Sequence, residues 1–208
     1  MPAALGVVSL SLLGGSCIGL VTGYTRGWMD DVFMRITDVF MAFPLILLAM
    51  AISVALGPSI QTGIFALAFV SWPQYARMTR SVTLELRNRE FVLASLVAGR
   101  RPVSILGKVI FPNVFPTVLV MGSVDVGRAI VNFAVLSFIG LGARPPTAEW
   151  GSMVAEGALN ISQWWISAFP SLAIFSLVMA FNFMGDWLRD LLDPYGRKGM
   201  VSDAHSRE

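Results

Sequence analysis

An all-α bundle of membrane-spanning helices is the fold class this sequence predicts, and three observations predict it. Hydrophobic residues make up 55% of the 208 and charged ones 13%, about half the charge of an ordinary soluble domain, and the mean hydropathy is +0.70. No charge occurs from Met1 to Thr25 or from Val39 to Ala76, and a helix rising about 1.5 Å per residue crosses a bilayer in about 20 residues. Thirteen of the fifteen Lys and Arg residues lie in three segments between or after the apolar runs. That distribution is a topology signal rather than a nucleic-acid footprint.

The first span covers about 3–23. Gly15, Gly19 and Gly23 recur on one of its faces, a stripe that lets another helix approach closely; the alternative is the glycine commonly scattered through membrane helices. The charge-free run 39–76 is long enough for two spans, about 39–56 and 60–77, because Gly57-Pro58-Ser59 breaks it. Proline removes a backbone donor there and glycine admits turn geometry. A fourth span runs over about 113–140 and a fifth over about 164–187, joined by an outer loop over about 141–163. A tail follows from 188 to 208, so one transmembrane domain of five helices occupies residues 1–208.

The basic residues set the sides. Arg26 and Arg35 follow the first span, seven basic residues from Arg77 to Lys108 follow the third, and Arg189, Arg197, Lys198 and Arg207 follow the fifth. The opposite side has Arg144 alone. Positive-inside bias therefore puts the 78–112 loop and the C-terminus in the cytoplasm. The N-terminus then falls outside with no basic segment before the first span, which predicts a further helix upstream of Met1; a natural five-helix chain is the alternative.

The loop over about 78–112 is too polar to span and too patterned to be slack. Phe91, Val92, Ala94, Ser95, Val97 and Ala98 make one or two small-faced helical turns, and Gly99 is a natural stop. Arg100 and Arg101 suit the negative end of that helix dipole, and Pro102 forbids its continuation. A short, knobbly helix held out into the cytoplasm suits docking into a groove on another protein.

Within the fourth span Asp125, Arg128 and Asn132 share a helical face. A mid-bilayer charge costs roughly 2.5 to 3.5 kcal/mol even on the mildest scale, so this face turns from lipid. It either lines a solute path or holds an internal ion pair that pins two helices. Trp164, Trp165 and Trp187 bracket the last span as headgroup anchors. Pro44, Pro73, Pro116 and Pro170 bound or kink spans, and the eleven methionines read as soft packing.

Neither catalytic nor metal chemistry has its residues here. Gly-x-Ser-x-Gly and His-Glu-x-x-His are absent from the sequence. The single histidine, His205, lies in the polar tail, and the single cysteine, Cys17, lies inside an apolar run, where it packs as a small residue. A glycine-rich loop ending in Gly-Lys-Ser/Thr is also absent, so nucleotide has no cradle on this chain.

The stretch "EFVLASLVAGRRPVSILGKVIFPN" resembles the "EAA" loop of permease subunits in bacterial ATP-binding-cassette importers. Leu93-Ala94-Ser95 stands at the triplet, Gly99 at the glycine and Ile110-Phe111-Pro112 at the end, thirteen positions after Gly99. Leu93 replaces the usual Glu and Phe111 the usual Leu. Three further blocks are similar to the branch carrying dipeptides, oligopeptides and nickel: "GYTRGWMDDVFMRITDVFMAFP", "LSFIGLGARPPTAEWGSMVAEG" and "FNFMGDWLRDLLDPYGRK". Members of that family normally have six helices, one more than this chain at its N-terminal end.

The resemblance implies a multi-pass subunit of the bacterial inner membrane, paired with a second, homologous permease subunit and surrounded by lipid. Two cytosolic ATPases would drive it, binding ATP and Mg, and an extracytoplasmic solute-binding protein would deliver di- or oligopeptides. No nucleic acid, and no cofactor on this chain, is implied. The coupling surface would comprise Glu90, Leu93, Ala94, Ser95, Gly99, Arg100, Arg101, Ile110 and Pro112, and the solute path Asp125, Arg128 and Asn132. The same machinery carrying nickel or another small solute is the alternative, followed by a stand-alone carrier or channel.

Overall fold

In the computed structural model, which describes residues 1–143 and 146–192, the glycine stripe decides the first contact. Helix α1 (Pro2–Thr25) and helix α4 (Ile60–Arg87) lie side by side and parallel. A Cβ added at Gly15 would stand 2.3 Å from the Trp72 carbonyl oxygen, and one at Gly19 2.3 Å from that of Ala76. One at Gly23 would stand 2.8 Å from the Thr83 Cβ. The stripe is therefore a packing surface within the chain, of the small-residue kind that lets backbones touch.

Between α1 and α4 the chain makes helices α2 (Trp28–Ala42) and α3 (Leu45–Leu56), bent by 92° at Phe43-Pro44. Proline removes a donor, and Phe43 before it takes the extended conformation that proline imposes. The sequence reading starts a span at 39, but the helix breaks four residues later. The twelve residues of α3 reach about 18 Å, short of the roughly 30 Å hydrocarbon core. A second break follows at Gly57 (φ +85), and α4 starts at Ser59, whose Oγ accepts from the Thr62 N–H at 3.0 Å.

Helix α4 continues ten residues beyond the expected span end at Arg77, through Pro73, to Arg87. It packs against α1, α2, α3 and, further on, α7. Then come α5 (Glu90–Val97), α6 (Pro102–Ile105), a π-helical turn (Leu106–Ile110) and α7 (Phe111–Phe138). The outer segment contributes α8 (Trp150–Leu159) and a 3₁₀ turn (Ile161–Gln163), and α9 (Trp165–Leu192) closes the bundle. Pro116 and Pro170 lie inside α7 and α9 without ending them.

No strand occurs among the described residues. Of the five spans read from the sequence, three helices are long and apolar enough to cross by themselves: Pro2–Thr25, Pro102–Phe138 and Trp165–Leu192. The bent α2–α3 pair makes a fourth. The fifth, helix α4, is more polar, with Gln61, Gln74 and Arg77 in its first eighteen residues, and it runs alongside α1 over the same depth.

Two apolar cores result. One, centred on Ala49, Leu67, Val126, Phe133 and Leu136, joins α1, α3, α4 and α7. The other gathers Leu20, Val92, Ile105, Ile110, Val114 and Val118 at the end where the basic residues lie. Helix α8 reaches α7 and α9 through glycines: a Cβ at Gly151 would meet the Ala134 carbonyl oxygen at 2.2 Å, and one at Gly157 the Ser167 Oγ at 2.2 Å. Trp164, Trp165 and Trp187 stay exposed on the outer surface. Arg144, Pro145, the Asp193-Pro194 pair, His205 and the rest of the tail from 193 lie outside the described residues.

Candidate functional site

Two groups of residues carry the sequence's functional readings, and the fold separates them. The first is the α5 rod. Asn88 and Arg89 end α4 and turn the chain, with Arg89 paired to Glu85 at 2.6 Å. Glu90 then opens α5 in the first turn, where a carboxylate suits the helix dipole. Val92 is fully buried against the second core and is the rod's anchor.

The rod ends at Gly99 with φ +71. The Arg100 N–H donates to the Ser95 carbonyl at 3.2 Å, and the Gly99 N–H to that of Leu96 at 3.0 Å. That pair of bonds is a Schellman cap, which requires a left-handed residue at this position. A Cβ on Gly99 would meet nothing within 4 Å, so the glycine serves backbone conformation and not close packing. The stop read from the sequence lies where the helix ends.

Around this anchor the rod is bare. Leu93, Leu96 and Val97 are exposed, Val97 to 90%, and Val103 just beyond to 83%. Glu90, Ala94, Arg100, Arg101 and Pro112 are exposed too, while Ser95 is half-buried and donates to the Phe91 carbonyl at 2.9 Å. Ile110 differs: it is fully buried in the second core, beneath the rod. It holds the π-helical turn to α7, and Leu96, Val97 and Val103 are further apolar side chains of the loop that stand exposed. The sequence signal for those three was available, since they are apolar residues in a charged loop.

The second group lies inside the bundle on α7. Asp125 is 7% exposed, and both Nε and Nη2 of Arg128 donate to its Oδ1, the former at 2.9 Å. Arg128 is itself mostly exposed. Asn132 joins Asp125 and Arg128 along a small cavity of about 50 Å³ that Ser11, Gln74 and Tyr75 also line. The Tyr75 hydroxyl is buried at this cavity, beside Asp125 and Ser11. Sequence reading brought the α7 triad to one face but missed Gln74 and Tyr75, which α4 supplies across the bundle.

A third set of polar contacts ties α2 across α4. Arg80 Nε and Nη2 donate to Asp30 Oδ1 and Oδ2 at 2.5 and 2.6 Å, and Arg77 Nη2 to Asp38 Oδ1 at 2.5 Å. Hydrogen bonding to Asp30 raises the Arg80 pKa above its ordinary value, against a smaller opposing effect of burial. Asp30 is buried, so this bidentate pair fixes the entry of α2, whereas the Asp38 pair is open to solvent.

Residues 15–198 match the family described as binding-protein-dependent transport system inner membrane component. The chain belongs to that family. It is 41% identical over 193 residues to the probable D,D-dipeptide transport system permease protein DdpC of Escherichia coli K12, covering 92% of this chain and 65% of that one. It is 40% identical over 190 residues to the dipeptide permease DppC of Haemophilus influenzae (90% and 64%). To the glutathione permease GsiD of Pectobacterium atrosepticum it is 40% identical over 195 residues (93% and 65%). The chain thus spans just under two thirds of the length of these relatives. Its fold superposes on a chain from inward-facing structures of the MetNI methionine ABC transporter, with a TM-score of 0.72, 21% identity, and 92% and 94% of the two chains covered. The family match, over residues 15–198, takes in the α5 rod and the α7 triad.

Proposed function

We propose that this chain is a permease subunit of an ATP-driven, binding-protein-dependent importer of di- or oligopeptides, and that the α5 rod is where a cytosolic ATPase pushes on it. The observation that carries the reading is the rod's construction. One buried residue, Val92, fixes it to the core shared by α1, α4 and α7, while its other apolar side chains stand in the open. A displacement of the rod is therefore transmitted to three bundle helices at once, through packed atoms that do not yield independently. An exposed apolar rod with a defined stop has the form of a helix-in-groove ligand.

In this reading ATP and Mg belong to the ATPase, a second permease subunit completes the path, and an outer binding protein supplies the solute. The Asp125–Arg128 pair, with Asn132 and Tyr75, lines that path. Peptides are the favoured solute because the dipeptide permeases named above are relatives at about 40% identity; nickel or another small solute is the alternative. The C-terminal end of α9 faces the cytosol on the charge pattern.

Affinity capture of the assembled complex tests the reading. The chain should retain an ATPase, and Gly99→Trp should release it, because a bulky residue at φ +71 breaks the cap and blocks the groove. If the complex survives Gly99→Trp unchanged, the docking proposal is wrong. Cysteines at Arg100 and Thr147 should be labelled from the cytosolic and outer faces respectively; the reverse would overturn the orientation.

A further inference from the structure

The Asp125–Arg128 pair is a wall between two spaces. On one side is the small polar cavity against Tyr75 and Ser11; on the other is a wider one of about 590 Å³ between α4, α7 and α9. Among the described residues the wider cavity is lined by three charged side chains: Asp125, Arg128 and Arg189 of α9. Asp125 already receives Arg128, so the described lining carries one net positive charge. Asp186 and Asp190 also belong to α9, but neither lines this cavity.

The two arginines are arranged in sequence along the helices. Helices α7 and α9 run antiparallel: Gly127 faces Asn182, and Gly185 faces Val124. The same register sets Arg189 opposite Val120, which lines the same cavity. Eight residues of helix separate Val120 from Arg128, roughly 12 Å of rise, toward the basic end of the bundle. A guanidinium presents a planar fork that pairs with a carboxylate through two bonds. The remaining walls are mostly apolar, and such walls focus the field of the two groups.

We propose that this cavity is an anion-accepting vestibule in which Arg128 and then Arg189 receive the carboxylate of a solute leaving toward the cytosol. The proposal rests on the reading of Asp125 and Arg128 as path residues, and it adds which side chains meet the solute's carboxylate on the way out, Arg189 of α9 among them. Arg128 can give up one acceptor for another because it is mostly exposed, while Asp125 stays buried and marks the return position. Arg189 is a positioning residue for exit in this scheme and takes no part in coupling.

Thiol labelling of the assembled transporter in inverted membrane vesicles tests it. Thr117→Cys and, independently, Met121→Cys place a thiol in the cavity lining, in a Cys17→Ser background. Each is treated with a negatively and a positively charged methanethiosulfonate of equal size, with rates normalised to those of a free thiol in solution. The vestibule should favour the anionic reagent by about tenfold, and Arg189→Gln should lower that preference severalfold. Equal rates, or a preference for the cation, at both positions overturn the proposal and leave the path reading standing. Absence of labelling by either reagent at both positions overturns both.

Discussion

The α1–α4 seam and the α5 rod each depend on glycine, for opposite reasons. At Gly19 a single added carbon would collide with the Ala76 carbonyl at 2.3 Å, while the backbone there is ordinary helix. At Gly99 the added carbon would meet nothing within 4 Å, and the constraint is φ +71. One glycine is required by what lies next to it, the other by the turn it makes. The seam is completed inside the chain; the rod is left open, and we propose that its exposed apolar side chains meet a partner.

Substitutions at the two places should separate sharply. Gly19→Leu has no space to enter, and the expected outcome is loss of the folded chain from the membrane, read as yield after detergent extraction; retention of normal yield would mean that α1 and α4 do not touch. The next largest effect is at the α2 clamp. Arg80→Gln leaves the Asp30 carboxylate buried without its partner and should lower stability by about 3 kcal/mol, measured by thermal unfolding in detergent. Arg77→Gln, at the open pair, should change it by less than about 1 kcal/mol. Equal effects would mean that burial does not distinguish the two pairs.

At the rod, Val92→Ala removes the buried anchor and should cost about 2 kcal/mol, whereas Leu93→Ser on the exposed side should leave stability within about 0.5 kcal/mol while weakening ATPase retention. A rod that were simply part of the core would show the same loss at both. Gly99→Ala should cost about 1 kcal/mol for a left-handed alanine, with no clash to relieve. Measured against Gly19→Leu, it separates a constraint of conformation from one of space.

Much of this was legible in the sequence because it is local. The glycine stripe, the stop at Gly99 and the shared face of Asp125, Arg128 and Asn132 all follow from helical spacing, and spacing is written along the chain. The break at Pro44 was signalled by the proline, but the 92° bend was not, because its size depends on α2 lying across α4. The Asp30–Arg80 clamp joins residues fifty apart, and nothing in the local pattern of either segment names the other. Ile110 was read as a docking residue through its place in the EAA-like pattern; the π-helical turn rotates it into the core instead. Tyr75 and Gln74 stayed hidden because α4 reads as a plain apolar span until α7 is set against it.

The central claim is that the α5 rod touches the ATPase while α1 and α4 do not. Cysteine cross-linking during ATP turnover tests it most directly, with Val97→Cys on the exposed rod and Gly14→Cys on the open side of α1, both in the Cys17→Ser background. The account predicts a cross-link from position 97 to a nucleotide-hydrolysing subunit, varying through the ATP cycle, and none from position 14. A rod cysteine that links only to lipid or to other parts of the permease, in every nucleotide state, would contradict it.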